Sequence, residues 1–232
     1  IPASVTKMGE NVFSNCPLLK TAGPAGGGYD IEFAWTKNIP DKTFWYSGIN
    51  SVKLPSTITK IGKEAFAGTY ELENITLPSS LKYIGDWAFE KSGITSVSIP
   101  DSVSYIGVGA FMSSPYLKSV KLPSNTTEIL DTTFESCISL TDIKIPSSVE
   151  YIYGGAFANC ESLTTITLPQ NLVYISDFCF ANCAKLRTIH IPANIVAVAD
   201  AAFIGCESLE TVYYDGTSAQ WADVEICSDN EP

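Results

Sequence analysis

The chain has 232 residues, 45% of them hydrophobic, enough to bury a sizeable core as one domain or one repeat array. Its formal charge is −11, from 14 basic and 25 acidic residues. That excludes nucleic acid or anionic lipid as the main partner, since phosphate binding needs a cationic face, and it suits a self-repelling soluble surface. No apolar run approaches the ~18 residues of a membrane span. The chain opens inside a repeat, at "IPASV", without a signal peptide, so a fragment of a longer precursor is expected.

In chain order, the first coil carries Met8 and Phe13 and continues as "LKTAGP", a poor strand. Eight extra residues follow, with a glycine turn, "GPAGGGYD" (23–30), running into "YDIEFAW". There Tyr29, Ile31, Phe33 and Trp35 alternate with Asp30, Glu32 and Ala34, which predicts a strand whose apolar face covers the flank of the first coils. From Phe44 onward the period is regular. Phe66, Phe89, Phe111, Phe134, Phe157, Phe180 and Phe203 follow in steps of 22 or 23 residues. Such self-similarity signals a solenoid.

Each Phe is preceded by an apolar residue five positions back (Ile39, Ile61, Ile84 and their counterparts) and by a slim one immediately before it. After it comes a strand template, apolar at its first, fourth and sixth positions, as in Leu163-Thr-Thr-Ile166-Thr-Leu168. Proline closes most copies, because it has no N–H to donate to a ladder. One such strand cannot bury its apolar side alone. Stacked copies can, as a parallel sheet at ~4.8 Å spacing. The expected organisation is an array of about nine coils over 1–214, with an insertion near 22–38, and a C-terminal cap over 215–232 that uses Trp221.

The recurring L-x-x-I-x-I-P, I-G-x-x-A-F and small-or-Cys pattern resembles the leucine-rich repeats of BspA-like bacterial surface proteins. The tail "VYYDGTSAQWADVEI" resembles the way such arrays end. The resemblance implies a right-handed solenoid, α/β by convention but β-rich. Its concave face is a parallel sheet of short strands and its convex side is mostly irregular. It also implies a secreted or cell-surface setting and adhesion to proteins or other cells.

The chemistry-bearing residues are sparse. Cys16, Cys137, Cys160, Cys183 and Cys206 share one phase, which Ser47, Thr69, Ser92 and Ser114 fill in sister coils, so the slot favours a small buried group over a disulfide. "CFANC" lacks metal-ligand spacing, and no metal or other cofactor is expected. The one histidine, His190, has its nearest concave aspartate, Asp142, two coils away, on the order of 10 Å, too far for a triad. The glycine turn lacks the Gly-Lys-Ser/Thr ending of a phosphate loop. No catalytic residue is assigned, and an enzyme ranks last.

What the repeat builds is area. The third and fifth strand positions predict a polar concave face of Ser96, Ser119, Lys121, Asp142, Lys144, Thr165, Thr167, Thr188, His190 and Tyr213, suited to an extracellular protein or glycan. A competing stripe on the convex side, Tyr83, Tyr105, Tyr151 and Tyr174, is interrupted by Glu128 and serves either as a binding platform or as a packing ladder. A monomer is expected, acting as a binding module. The rival reading is a passive spacer within a larger surface protein.

Overall fold

The computed structural model describes residues 8–33 and 37–230. Within them the chain winds as stacked coils joined by three sets of hydrogen-bonded ladders, two of which are interrupted along the stack. The first ladder is the expected sheet. Ser51–Lys53, Ser96–Ser98, Ser119–Lys121, Asp142–Lys144, Thr165–Thr167, Thr188–Ile191 and Thr211–Tyr214 are among its strands. All pairs are parallel and join like positions of the repeat, as in Ser96 to Ser119 to Asp142 and Thr165 to Thr188 to Thr211. Alternation decides the faces: Val52, Val97, Val120, Ile166 and Ile189 are buried while their strand neighbours face out. The prolines do more than stop the strand. The carbonyls of Pro55, Pro78, Pro100, Pro146 and Pro169 each accept the N–H three residues on, closing a turn.

A second parallel ladder runs through two-residue strands such as Lys60–Ile61, Tyr83–Ile84, Tyr105–Ile106, Glu128–Ile129, Tyr151–Ile152 and Tyr174–Ile175. In each pair the isoleucine points into the core and the preceding residue points out. The expectation of a mostly irregular convex side holds for the turns between these pairs, while the pairs themselves are ordered in two sheets. The sole α-helix among the described residues is Ser218–Trp221.

The third ladder lies at the phenylalanines. The N–H groups of Phe44, Phe66, Phe89, Phe111, Phe134, Phe157 and Phe180 each donate to the carbonyl of the slim residue one coil further on, at 2.8–3.0 Å. Residues two before and two after the Phe adopt left-handed backbone, as at Glu64, Trp87, Phe178, Asn159 and Asn182. That turns their N–H groups toward the next coil as well: Trp87 donates to the Val108 carbonyl and Asn159 to that of Ala181. The strain of a side chain in this region is offset by backbone groups that would otherwise be unpaired.

Inside this arch the rings stack from Phe13 to Phe203 without a break, with centroids 5.3–5.8 Å apart. The seven from Phe44 to Phe180 are fully buried. The slim slot before each Phe explains itself here, because a longer side chain would displace the ring. Where threonine fills it, the hydroxyl is satisfied locally: Thr43 and Thr133 donate to the carbonyls of Pro40 and Leu130.

Both ends depart from the repeat. Thr21–Pro24 forms a strand despite its poor sequence and pairs with Ser51–Lys53. Ile31–Phe33 then pairs parallel with Thr21–Pro24 on its outer side, so the insertion turns back and extends the sheet before the first coil. Ile31 packs against the core, in line with the expected buried face, while Trp35 lies outside the described residues. At the other end Trp221 packs on Tyr214 with ring centroids 4.9 Å apart. The Asn230 side chain takes the place of a following coil, accepting the Phe203 N–H and donating to Ala199.

Candidate functional site

The strand face gathers the predicted polar residues on one side of the sheet. Ser96, Lys121, Asp142, Lys144, Thr165, Thr167 and Tyr213 are exposed, and Ser119, Thr188 and His190 are half-buried. The ladder is not continuous: Ser96, Ser119 and Asp142 fall in one run, and Thr165, Thr188, His190 and Tyr213 in another. In the first run Lys121 and Lys144 are direct cross-strand partners. Like charges set opposite one another are unfavourable, and neither lysine has a carboxylate within 4.0 Å among the described residues. Asp101 offers partial compensation: its carboxyl is held below its usual range mainly by hydrogen bonds from Ser124 and to a smaller extent by the charge of Lys121. In the second run the His190 and Tyr213 rings stack at 4.7 Å, a pairing that followed from register but not from residue type.

His190 and Asp142 sit on different strands with Thr165–Thr167 between them, so the geometry does not bring that aspartate to the imidazole. Among the described residues no group of His, Cys, Asp and Glu gathers as an ion site. The glycine turn directs its own N–H groups inward, with Gly26 and Gly28 both donating to the Glu32 carboxylate.

All seven cysteines are free thiols, five of them buried, with Cys16 and Cys227 half-buried. In several coils the slot uses a donor as well as small size, although Ser47 fills it without a hydrogen-bond partner. Cys137, Cys160, Cys183 and Cys206 each donate Sγ–H to the carbonyl of the Phe one coil back, at 3.2–3.3 Å. Ser114 does the same to Phe89 with its hydroxyl. Burial pushes the Cys137 thiol up to about 12 and that of Cys206 to about 11, so these groups are poor nucleophiles.

The tyrosine stripe faces solvent as expected: Tyr105, Tyr151 and Tyr174 are exposed and Tyr83 is half-buried. It behaves as two short pieces. Tyr83 and Tyr105 stack at 4.7 Å, and the Lys60 ammonium lies 4.9 Å from the Tyr83 ring. The Tyr105 hydroxyl donates to Asp86, and desolvation with that carboxylate raises its pKa to about 12. Beyond Glu128, Tyr151 lies near Tyr153 instead, at 6.3 Å.

Two features escaped the sequence reading. One is an apolar cavity of about 340 Å³ at the C-terminal end, walled by Phe203, Leu209, Val212 and Trp221. The other is an open cleft between Tyr70 and Tyr116, both more than half exposed, on the edge where the coils enter their strands. Its signal was present in the alternation of 22- and 23-residue steps.

The comparisons agree with this architecture. A family model for the BspA type leucine rich repeat region matches residues 37–153 and 127–221, in six copies. A leucine-rich repeat protein from Bacteroides ovatus is similar over 90% of this chain and 51% of its own, at 26% identity and a TM-score of 0.79. One from Eubacterium ventriosum is similar over 85% and 67%, at 20% identity and 0.60. The pneumococcal vaccine antigen PcpA shares the fold over 84% and 62%, at 20% identity and 0.52. The chain spans about half the length of the Bacteroides ovatus protein. A search of curated protein sequences returns no match.

Proposed function

The chain belongs to the BspA-type leucine-rich repeat family, and on that footing we propose that it is a binding module of a secreted or surface-displayed bacterial protein. In this reading its strand face grips an extracellular protein or glycan that carries negative groups. The observation that supports it best is the Lys121–Lys144 pair in register on a molecule of net charge −11. Two lysines opposed in register, with no carboxylate within 4.0 Å of either among the described residues, are a cost to the free protein that an anionic ligand removes. Around them Ser119, Asp142, Thr165 and Thr167 offer short hydrogen-bonding groups over a broad area, so affinity arises from many modest contacts with a few dominant ones. No helix of the described residues is long and apolar enough to cross a membrane, and no enzymatic role is proposed.

The test is a binding screen against extracellular matrix proteins and sulfated or sialylated glycans, repeated at rising salt. Binding that weakens steeply with salt is expected. A salt-independent ligand would point away from the lysines. The exposed Tyr151 and Tyr174 carry the second reading, a convex platform, which loss of binding in Tyr151→Ala/Tyr174→Ala would select. A protein that retains no ligand from the screen would be a spacer.

A further inference from the structure

Two coils are one residue shorter than the rest between Phe and strand. In most coils two loop residues precede the first strand position: Pro17-Leu18, Tyr70-Glu71 and Pro115-Tyr116 are examples. In the coils of Phe44 and Phe89 a single glycine, Gly48 or Gly93, takes their place. Each lies so close to the preceding coil that an added Cβ would fall on a backbone carbonyl, that of Pro17 for Gly48 and of Tyr70 for Gly93. The loop edge therefore has two recesses, flanked on both sides by longer loops.

The two recesses are finished differently. Over Gly48, Lys20 reaches from one neighbouring coil to Glu71 on the other, with Nζ to Oε2 2.7 Å. The ammonium lies 3.2 Å from where a Cβ on Gly48 would be, so the ion pair roofs the recess. At the same repeat positions around Gly93 stand Glu73, seven residues after its Phe, and Tyr116, five after its own. An acid and a phenol form no such bridge. What remains is a cleft of about 750 Å³ with Tyr70 on one side, Tyr116 on the other, and Glu73, Asn74, Thr95 and Lys118 between.

We infer that the cleft over Gly93 is a carbohydrate subsite that takes a neutral sugar ring between Tyr70 and Tyr116. The spacing suits it. The two tyrosines come from coils two steps apart, about 10 Å at the strand repeat. A ring sandwiched between aromatic faces needs about 3.5–4 Å on either side. Tyr70 is preset, its ring packed edge-on against Tyr46 at 6.0 Å. The lining supplies an exposed carboxylate, an exposed amide, an ammonium and the Thr95 hydroxyl, the mixed donors and acceptors that vicinal hydroxyls need. The charges cancel: Glu73 is balanced by Lys118 and Glu71 is paired with Lys20, so nothing in the cleft selects an ion. This site lies at the entry edge of the strands and includes neither Lys121 nor Lys144, so it does not depend on that pair.

The experiment is titration of the folded protein with short neutral oligosaccharides built on glucose, galactose, mannose and N-acetylglucosamine. One of them should bind, and Tyr116→Ala should weaken it at least roughly tenfold, the loss of a dominant contact. Glu73→Lys/Tyr116→Glu rebuilds the first recess's bridge across the second and should abolish binding with an unchanged melting curve, both positions being exposed. Lys121→Glu/Lys144→Glu should leave it intact. No binding by any of these sugars, binding undiminished in the bridged variant, or stronger binding of a lysine-rich peptide than of sugar would overturn the inference.

Discussion

The phenylalanine and tyrosine columns run along the same coils only six residues apart, and they behave in opposite ways. The inward column is unbroken from Phe13 to Phe203. The outward one is interrupted by Glu128 and replaced by Lys60 and Ala197 at its ends. Inside, a missing ring leaves a void that nothing fills, because packed interiors relax only in part. Outside, water and a neighbouring lysine or carboxylate take up the slack. The buried column thus holds the period, and the exposed positions are free to vary for recognition.

The largest effect that bears on this contrast is Phe157→Ala, which should lower stability by about 3–5 kcal/mol in a denaturant titration, as buried Phe truncations do. A cost under about 1 kcal/mol would mean the ring stack is not the core.

Alkaline pH gives a second probe of the interior. Below about 8.5 the thiols are protonated in both folded and unfolded chains, and their contribution is fully present. Above it the unfolded chain releases protons that Cys137 keeps until about 12. Stability should therefore fall as pH rises through that window, by up to roughly 1.4 kcal/mol per pH unit for each such thiol. Cys137→Ser, which keeps a donor for the Phe111 carbonyl, should flatten the decline. An identical slope in the variant would place that thiol outside the core.

Least of the stability effects is Tyr151→Ala, expected to cost about 1 kcal/mol or less because the side chain is 44% exposed. Equality with Phe157→Ala would erase the distinction between the columns.

Much of this was legible in the residues because side chains carried it. The Phe register, the slim slot and the apolar strand positions are all statements about what fits inside a coil. The Ile31–Phe33 strand was legible as alternation, but its place outside Thr21–Pro24 was not, since pairing partners leave no mark on a lone strand. The two-residue ladder was invisible because two residues cannot show a period. The left-handed arch around each Phe was hidden for another reason. Its pattern is in the backbone, and residues as unlike as Glu64, Trp87 and Phe178 occupy it. The donor common to the cysteine slot could have been seen, since Ser, Thr and Cys share an X–H group that alanine lacks, though Ser47 leaves its hydroxyl unpaired. On the candidate face, register placed Lys121 beside Lys144, whereas the Tyr70–Tyr116 cleft arose from a one-residue deletion whose depth only the coil geometry reveals.

The direct measurement is on the lysine pair. Lys121→Glu/Lys144→Glu should fold with a melting temperature close to that of the parent, since both positions are exposed and one like-charge pair replaces another. It should also lose the salt-sensitive ligand found for the parent protein. Undiminished binding by this folded variant would contradict the account that the strand face recognises a negatively charged partner.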